Sequence, residues 1–475
     1  MKILACLRGV AIFLFLILVV QGETVLAQGN SPSGPIYIVQ EGDSLWEIAQ
    51  RFGVSLTDLT QINHISNPSL VKPGDQLIIP GLEGVEGILV TRQVSFGESL
   101  HSLSRQYGLP VELLARLNRF SSPLELYAGS TLIIPQGSDN SPFGRGTAIS
   151  PGESLLEYAV ANGADPWTLL KANQLAGSWD AMPGDVLRVP GGVSEGPGAF
   201  PREVADINVS PLLFTQGKAS VVRITAKPLL SIQGQFADRD LHFIQTLNGE
   251  YVALQGVHAM LEPGLYPVRI EMVLADGAPF TFTQKVVVLD GGYYNDLPLI
   301  VPPETIDPAV TGPEDELWMS LAVPVTQDRY WSEPFLLPIG TLTKEYCLES
   351  GQCWTSRFGS RRSYNGSPYR YFHAGLDIAG GIGTEIVAPA PGRVVFAGPL
   401  TVRGNATMID HGWGVYTGYM HQSEILVQVG DFVETGQLIG LVGATGRVEG
   451  AHLHWEVLVG GVQVDPLDWL ETVYP

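Results

Sequence analysis

The spacing of apolar residues changes several times along the chain. An unbroken apolar run of 11 residues, Val10–Val20, follows Lys2 and Arg8. It is short for a bilayer span, and Val25-Leu26-Ala27 then places small residues where a signal peptidase reads. This pattern predicts a signal peptide over 1–27, with an uncleaved N-terminal anchor as the alternative. From residue 36 the pattern turns to strand, helix, helix, strand. Tyr37-Ile38-Val39 reads as a short strand and Leu45–Phe52 as a helix. Leu56, Leu59 and Ile62 form the apolar face of a second helix, and Gln76–Ile79 reads as a strand stopped by Pro80. The unit recurs twice. Gly42, Gly97 and Gly152 stand 55 residues apart, as do Ser44, Ser99 and Ser154, then Leu45, Leu100 and Leu155, then Asn63, Asn118 and Asn173, and finally Pro80, Pro135 and Pro190. Ser44 with Glu47 and Ser154 with Glu157 make capping boxes, whereas the second copy has Ser102 where the acid stands.

Gly191–Gly198 is a linker by composition. Beyond it, Ala219–Ala226, Gly264–Val273 and Pro279–Val288 are rich in β-branched and aromatic residues, and Asp276-Gly277 is a hairpin signal between the last two. Residues 205–290 are therefore expected to form an immunoglobulin-like β-sandwich, serving as a spacer or exosite. His242 and His258 stand alone there and read as surface or core residues. Residues 291–354 follow as a Pro-rich linker (Pro298–Pro313) and a pre-catalytic segment.

Composition narrows the classes. A chain of 475 residues with a net charge of −21 is multidomain and a poor nucleic-acid binder, since phosphate attraction needs a positive surface. Its 45% hydrophobic content excludes wholesale disorder, and 55 Gly with 34 Pro favour short strands and turns. Cys6 precedes the apolar run, so Cys347 and Cys353 remain after signal removal. A pair in an exported chain suggests one small disulfide loop, two free thiols being the alternative. The expected mature protein is secreted or envelope-associated, with no membrane contact after signal cleavage.

Five of the nine histidines fall between His373 and His454. His373 and Asp377, at i and i+4, can reach one ion. His452-Leu453-His454 alternates as a strand does, so both imidazoles point to one side. Two His and a carboxylate with an open fourth position is a catalytic zinc arrangement, and no Cys lies nearby to close it as a structural site. No recognisable pair of acids supports a glycosidase.

Two resemblances give these motifs a name. Val39-Gln40-Glu41-Gly42-Asp43-Ser44-Leu45-Trp46, Asn63 and Pro73-Gly74-Asp75-Gln76-Leu77-Ile78-Ile79-Pro80 resemble a LysM domain. That family implies a β-α-α-β fold that binds N-acetylglucosamine-containing glycans such as peptidoglycan or chitin. The third copy follows through Pro151-Gly152-Glu153-Ser154 and Pro183-Gly184-Asp185, while the second has Gly129-Ser130 in place of Gly-Asp. The loops around Gly42, Asp43 and Ser44 and around Gly152, Glu153 and Ser154 are the implied glycan contacts; the same residues also suit turns and caps. Ser356-Arg357-Phe358-Gly359, His373-Ala374-Gly375-Leu376-Asp377, Gly392-Arg393-Val394-Val395, Tyr419-Met420-His421, Gly443-Ala444-Thr445-Gly446 and His452-Leu453-His454-Trp455-Glu456 are, in this order, similar to lysostaphin-type zinc metallopeptidases. This second resemblance implies an antiparallel β fold with an open groove. It further implies zinc held by His373, Asp377 and His454, catalytic roles for His421 and His452, and hydrolysis of peptide bonds in peptidoglycan. His411 then reads as structural, and Glu456 as an acid supporting the ligands. Met420, Gln422 and Ala451 depart from the family pattern without removing a ligand.

The expected chain is thus multidomain and mainly β. It comprises LysM modules at 36–80, 88–135 and 144–190, the sandwich at 205–290, and a metallopeptidase domain at 355–470. The competing reading is a non-catalytic peptidoglycan-bound adaptor, or an activator of another wall hydrolase.

Overall fold

The computed structural model describes residues 34–475 except 83–84, 86, 108, 121, 123–124, 137–142, 151, 183, 192–199 and 202. The predicted signal peptide, and all but the first residue of the 191–198 linker, lie outside the described residues, as do Pro151 and Pro183 of the third repeat. Residues up to Gly84 form one compact unit and residues from Val85 a second. Among the described residues, no helix is long and apolar enough to cross a membrane.

In the first unit, strand Ile36–Ile38 pairs antiparallel with Gln76–Ile78, and helices Leu45–Phe52 and Leu56–Ile62 lie between them in the chain. The second unit opens with two further copies. One has strands Ile88–Gln93 and Thr131–Gln136 around helices Leu100–Tyr107 and Val111–Leu117. The other has strands Phe143–Ala148 and Val186–Pro190 around helices Leu155–Ala161 and Pro166–Ala172. The core keeps the period of the sequence: Leu45, Leu100 and Leu155 are buried, as are Leu59, Leu114 and Leu169, and Leu77, Leu132 and Leu187. Gly42, Gly97 and Gly152 sit at φ of 86°, 98° and 84°, a region that favours glycine, in the turn before the first helix. The second copy also caps its helix. The Ser102 amide donates to Ser99 Oγ (3.1 Å) and the Ser99 amide to Ser102 Oγ (2.9 Å), so a second serine replaces the acid of the capping box.

The repeated asparagine is a clasp. Asn173 Nδ2 donates to Leu169 O (2.9 Å) and Arg188 O (2.9 Å), and its Oδ1 accepts from the Arg188 amide (2.6 Å). Asn63 makes the same three bonds to Leu59 and Ile78, and Asn118 to Leu114 and Ile133. One side chain thereby ties the end of the second helix to the last strand.

The sandwich has two sheets. One runs Arg239–Leu241, Ser231–Phe236, Gly264–Val273, Pro279–Leu289, Leu213–Thr215, and the last pair is parallel. The other runs Ile244–Gln245, Tyr251–Gly256, Ala219–Ala226, Val204–Ser210. Asp276-Gly277 turns the Gly264–Val273/Pro279–Leu289 hairpin, as the pattern predicts. Strand Tyr251–Gly256 is buried at all six positions, which a strand with one solvated face would not be. Its outer side packs on the C-terminal domain: Val252, Leu254, Ala219 and Val221 share a core with Leu453, Val457 and Val464. Lys218 Nζ reaches Asp465 (3.0 Å) and Asp468 (2.7 Å) across the same boundary. The sandwich is therefore a buttress packed directly on that domain rather than a spacer. The near-continuous apolar run of Tyr251–Leu254 is the local sign of a strand covered on both faces.

The C-terminal domain is built on one antiparallel sheet in the order Trp354–Ser356, Leu376–Ala379, His452–Val459, Val415–Ile425, Gly404–Gly412, Gly392–Leu400, Phe432–Val433. Cys347 and Cys353 form a disulfide ahead of the first strand. The Pro-rich connection differs from expectation, for its second half is helical, Pro308–Leu321. Asp307 caps it through the Ala309 amide (2.9 Å), and Pro308 takes the first helical position, where a missing N–H is harmless. Pro313 forfeits a bond farther in. Glu314 and Trp318, one turn apart, offset that loss by burying the same face in the sheet.

We predict that Asn173→Ala removes about 3 kcal/mol from the third repeat, near 1 kcal/mol per lost hydrogen bond. Hydrogen exchange at the Arg188 amide checks this. Protection equal to that of the wild type would show that the clasp contributes little.

Candidate metal centre

Strand register brings the donors together. Asp377 lies directly opposite His454 in the Leu376–Ala379/His452–Val459 pair, and Ala379 opposite His452. Opposed residues project to one face, so the carboxylate and the imidazole meet. His373 reaches the same point from the turn before its strand. His373 Nε2 is 3.0 Å from Asp377 Oδ1 and 3.0 Å from His454 Nδ1, and His454 Nδ1 is 2.8 Å from Asp377 Oδ1. His452 Nε2 lies 3.5 Å from the same oxygen.

His421 arrives by breaking the alternation of its strand. Met420 pairs with His454, so the next side chain would normally turn to the other face. His421 instead has φ 63°, and both Met420 and His421 line the groove. A non-glycine residue in that region costs about 1 kcal/mol or more and is held here by its surroundings. The His421 amide donates to Arg403 O (2.9 Å). Its ring centroid is 5.1 Å from that of His452.

Each imidazole has its tautomer set from outside the site. A carbonyl or carboxylate oxygen only accepts, so the nitrogen facing it carries the proton. His373 Nδ1 donates to Arg357 O (2.9 Å), His421 Nδ1 to Thr445 O (2.8 Å) and His452 Nδ1 to Gly450 O (2.9 Å). His454 is reversed: its Nε2 donates to Glu456 Oε1 (3.3 Å). The remaining nitrogens present lone pairs to the groove floor. Two such nitrogens and a carboxylate oxygen within about 3 Å of one another repel unless a cation sits among them. A proton is one answer. Burial disfavours charge on His454, yet hydrogen bonds to Asp377 and Glu456 and their charges outweigh it and raise its pKa to about 9. Burial likewise opposes charge on Asp377, but the two imidazoles hold its carboxyl well below the usual range. A divalent metal is the other answer, and His373, Asp377 and His454 are a group able to hold one. His421, buried and facing the imidazoles of His454 and His452, has its pKa lowered to about 3 and is neutral at pH 7.

The donors floor a groove of about 860 Å³. Its lining includes Arg239 of the sandwich, Tyr294, Ile300 and Thr311 of the connecting segment, and His258, which the sequence places as a lone surface or core residue. Tyr364 and Tyr371 also line it. His411 stands apart. It is fully buried, its ring nitrogens lie 2.7 Å from Pro391 O and 2.7 Å from Thr417 Oγ1, and its role is structural.

The residues named as glycan contacts are engaged inside their own repeats. Asp43 accepts from Tyr37 Oη (2.6 Å) and the Gln40 amide (2.8 Å) and pairs with Arg51 (2.9 Å). Ser44 and Ser154 cap helices through Glu47 and Glu157, Glu153 accepts from the Ser150 amide (2.9 Å), and Gly42 and Gly152 make turns.

An antiparallel sheet presenting two imidazoles and a carboxylate to an open groove, with two further imidazoles beside them, defines a metal site of the hydrolase type. Comparison with known proteins identifies two kinds of domain in the chain. Residues 371–466 match peptidase family M23, and residues 37–80 and 93–135 match the LysM domain. The chain thus carries LysM domains and a C-terminal M23 peptidase domain. Over 124 residues it is 39% identical to peptidoglycan DD-endopeptidase ShyA of Vibrio cholerae, covering 26% of this chain and 29% of that protein. Over 95 residues it is 43% identical to DD-carboxypeptidase/endopeptidase Mpg of Neisseria meningitidis, covering 20% and 22% respectively. The chain therefore spans under a third of the length of these relatives. Among solved structures, lysostaphin from Staphylococcus simulans matches with 34% identity over 23% of this chain and 51% of that one, at a TM-score of 0.21.

The buried His411 predicts an acid sensitivity. Burial lowers its pKa from 6.5 to about 4, so the unfolded chain takes up the proton first. The stability from neutral His411 is full above about pH 6.5 and is lost as pH falls towards 4, by on the order of 3 kcal/mol. Urea melts at pH 7 and pH 4 should show a smaller acid loss for His411→Gln than for the wild type. Equal losses would count against it.

Proposed function

We propose that this protein is an exported, zinc-dependent endopeptidase that hydrolyses peptide bonds of bacterial peptidoglycan and is held on the glycan strands by its LysM modules. The observation that carries the reading is the convergence of three metal-type donors and two further imidazoles on one groove floor within an M23 domain. The names of the relatives support peptidoglycan as the substrate. The third repeat is read as a LysM module on its fold and its asparagine clasp, and three weak glycan sites on one chain raise avidity without any new type of contact.

His373 Nε2, Asp377 Oδ1 and His454 Nδ1 would hold the metal. When bound, zinc supplies a lowered water pKa and polarises the scissile carbonyl. The chain's own groups handle the protons. His421, neutral with Nδ1–H tied to Thr445 O, accepts at Nε2 the proton of the attacking water and delivers it to the amine as the C–N bond breaks. His452 faces the same point from across the floor and stands beside the carbonyl oxygen as that oxygen gains charge. The groove walls orient the peptide stem.

Digestion of purified peptidoglycan by the chain from Gln28 onward, followed by mass spectrometry, tests the reading. The expected result is new amine and carboxyl ends at a peptide bond, abolished by a chelator, restored by zinc and absent with His454→Ala. Binding to the wall without cleavage, with zinc supplied, would favour the adaptor reading instead.

A further inference from the structure

We infer that Trp318, on the helix ahead of the matched peptidase domain, is a positioning residue for the metal centre, acting through Glu456 on His454. The inference rests on the zinc reading above.

His454 is the one ligand that must offer Nδ1 to the site, so its Nε2 has to keep the proton. The partner that enforces this is Glu456 Oε1 at 3.3 Å. A buried carboxylate is a mobile and costly partner unless its other oxygen is fixed as well. Trp318 fixes it: the indole Nε1–H donates to Glu456 Oε2 at 2.9 Å. Both side chains are buried, at 0% and 2% exposure, so water does not take the place of either partner.

The indole is itself held from several sides. An added Cβ at Gly418 would lie 2.5 Å from the Trp318 ring, so the central strand carries glycine where the indole crosses it. Phe396 packs edge-on at 6.0 Å between centroids, and the Arg403 guanidinium lies 5.2 Å from the ring centroid. Arg403 is anchored to the same helix through Glu314 (3.1 Å) and Asp315 (2.9 Å). Glu314 also accepts the amides of Thr401, Val402 and Arg403 at 2.7, 2.9 and 3.0 Å, pinning the helix to the groove rim. A tryptophan needed only to fill space would not require its one polar atom to end on the carboxylate behind a ligand. The connecting helix therefore completes the metal centre of a domain whose family match begins only at residue 371.

The test uses the full chain with zinc affinity measured by chelator competition and thermal unfolding of the metal-free protein as a control. Trp318→Phe keeps the ring and removes the donor, and Glu456→Gln keeps the shape and removes the charge. The zinc Kd is expected to rise about tenfold in each, with the double variant no weaker than the weaker single one, because both act along one path. Unchanged affinity in Trp318→Phe, or losses that add in the double variant, overturns the inference. If Trp318→Phe does not fold, Glu456→Gln decides, and wild-type affinity there overturns it equally. A wild-type chain that takes up no zinc removes the zinc reading together with this one, whereas zinc bound equally by all forms removes this one alone.

Discussion

Four imidazoles can share one groove floor only if each is told which nitrogen to present. The outer hydrogen bonds do this, and much of the C-terminal domain serves to deliver them. Arg357, Thr445 and Gly450 lend backbone carbonyls, so three tautomers follow from where the chain runs. His454 alone depends on a side chain, Glu456. Strand register supplies the inward half of the arrangement and the acceptors supply the outward half. Shifting the Leu376–Ala379/His452–Val459 pair by one residue would separate Asp377 from His454 and send one of them into the core.

Much of this was legible in the sequence. The 55-residue period foretold three copies of one β-α-α-β unit, because four of its five columns do a fixed job: a turn at φ above zero, a cap, a core leucine, a clasp. The motifs holding His373, Asp377, His452 and His454 foretold that these side chains meet on one groove floor, because alternation along strands guides which side chains share a face. What escaped notice obeys no local rule. His421 reaches the groove through a backbone kink that its residue type does not advertise. Trp318 lies in a segment whose prolines suggest a connection, and its partner stands 138 positions away. Arg239 and His258 reach the groove because a second domain packs there, which no periodicity announces.

The same limit applies to the boundaries. Motifs begin near residue 355, yet the groove and its supports begin near Tyr294 and draw on the sandwich as well. The groove is assembled from three stretches of chain, of which one bears the recognisable signature.

The strand Tyr251–Gly256, covered on both sides, carries this further. A residue such as Leu254 is at once part of the sandwich and part of the peptidase core. Neither domain can drift alone along that seam, since a change of side-chain volume must suit two neighbours. The seam is a single core shared by two domains, so a substitution made for one is felt in the other.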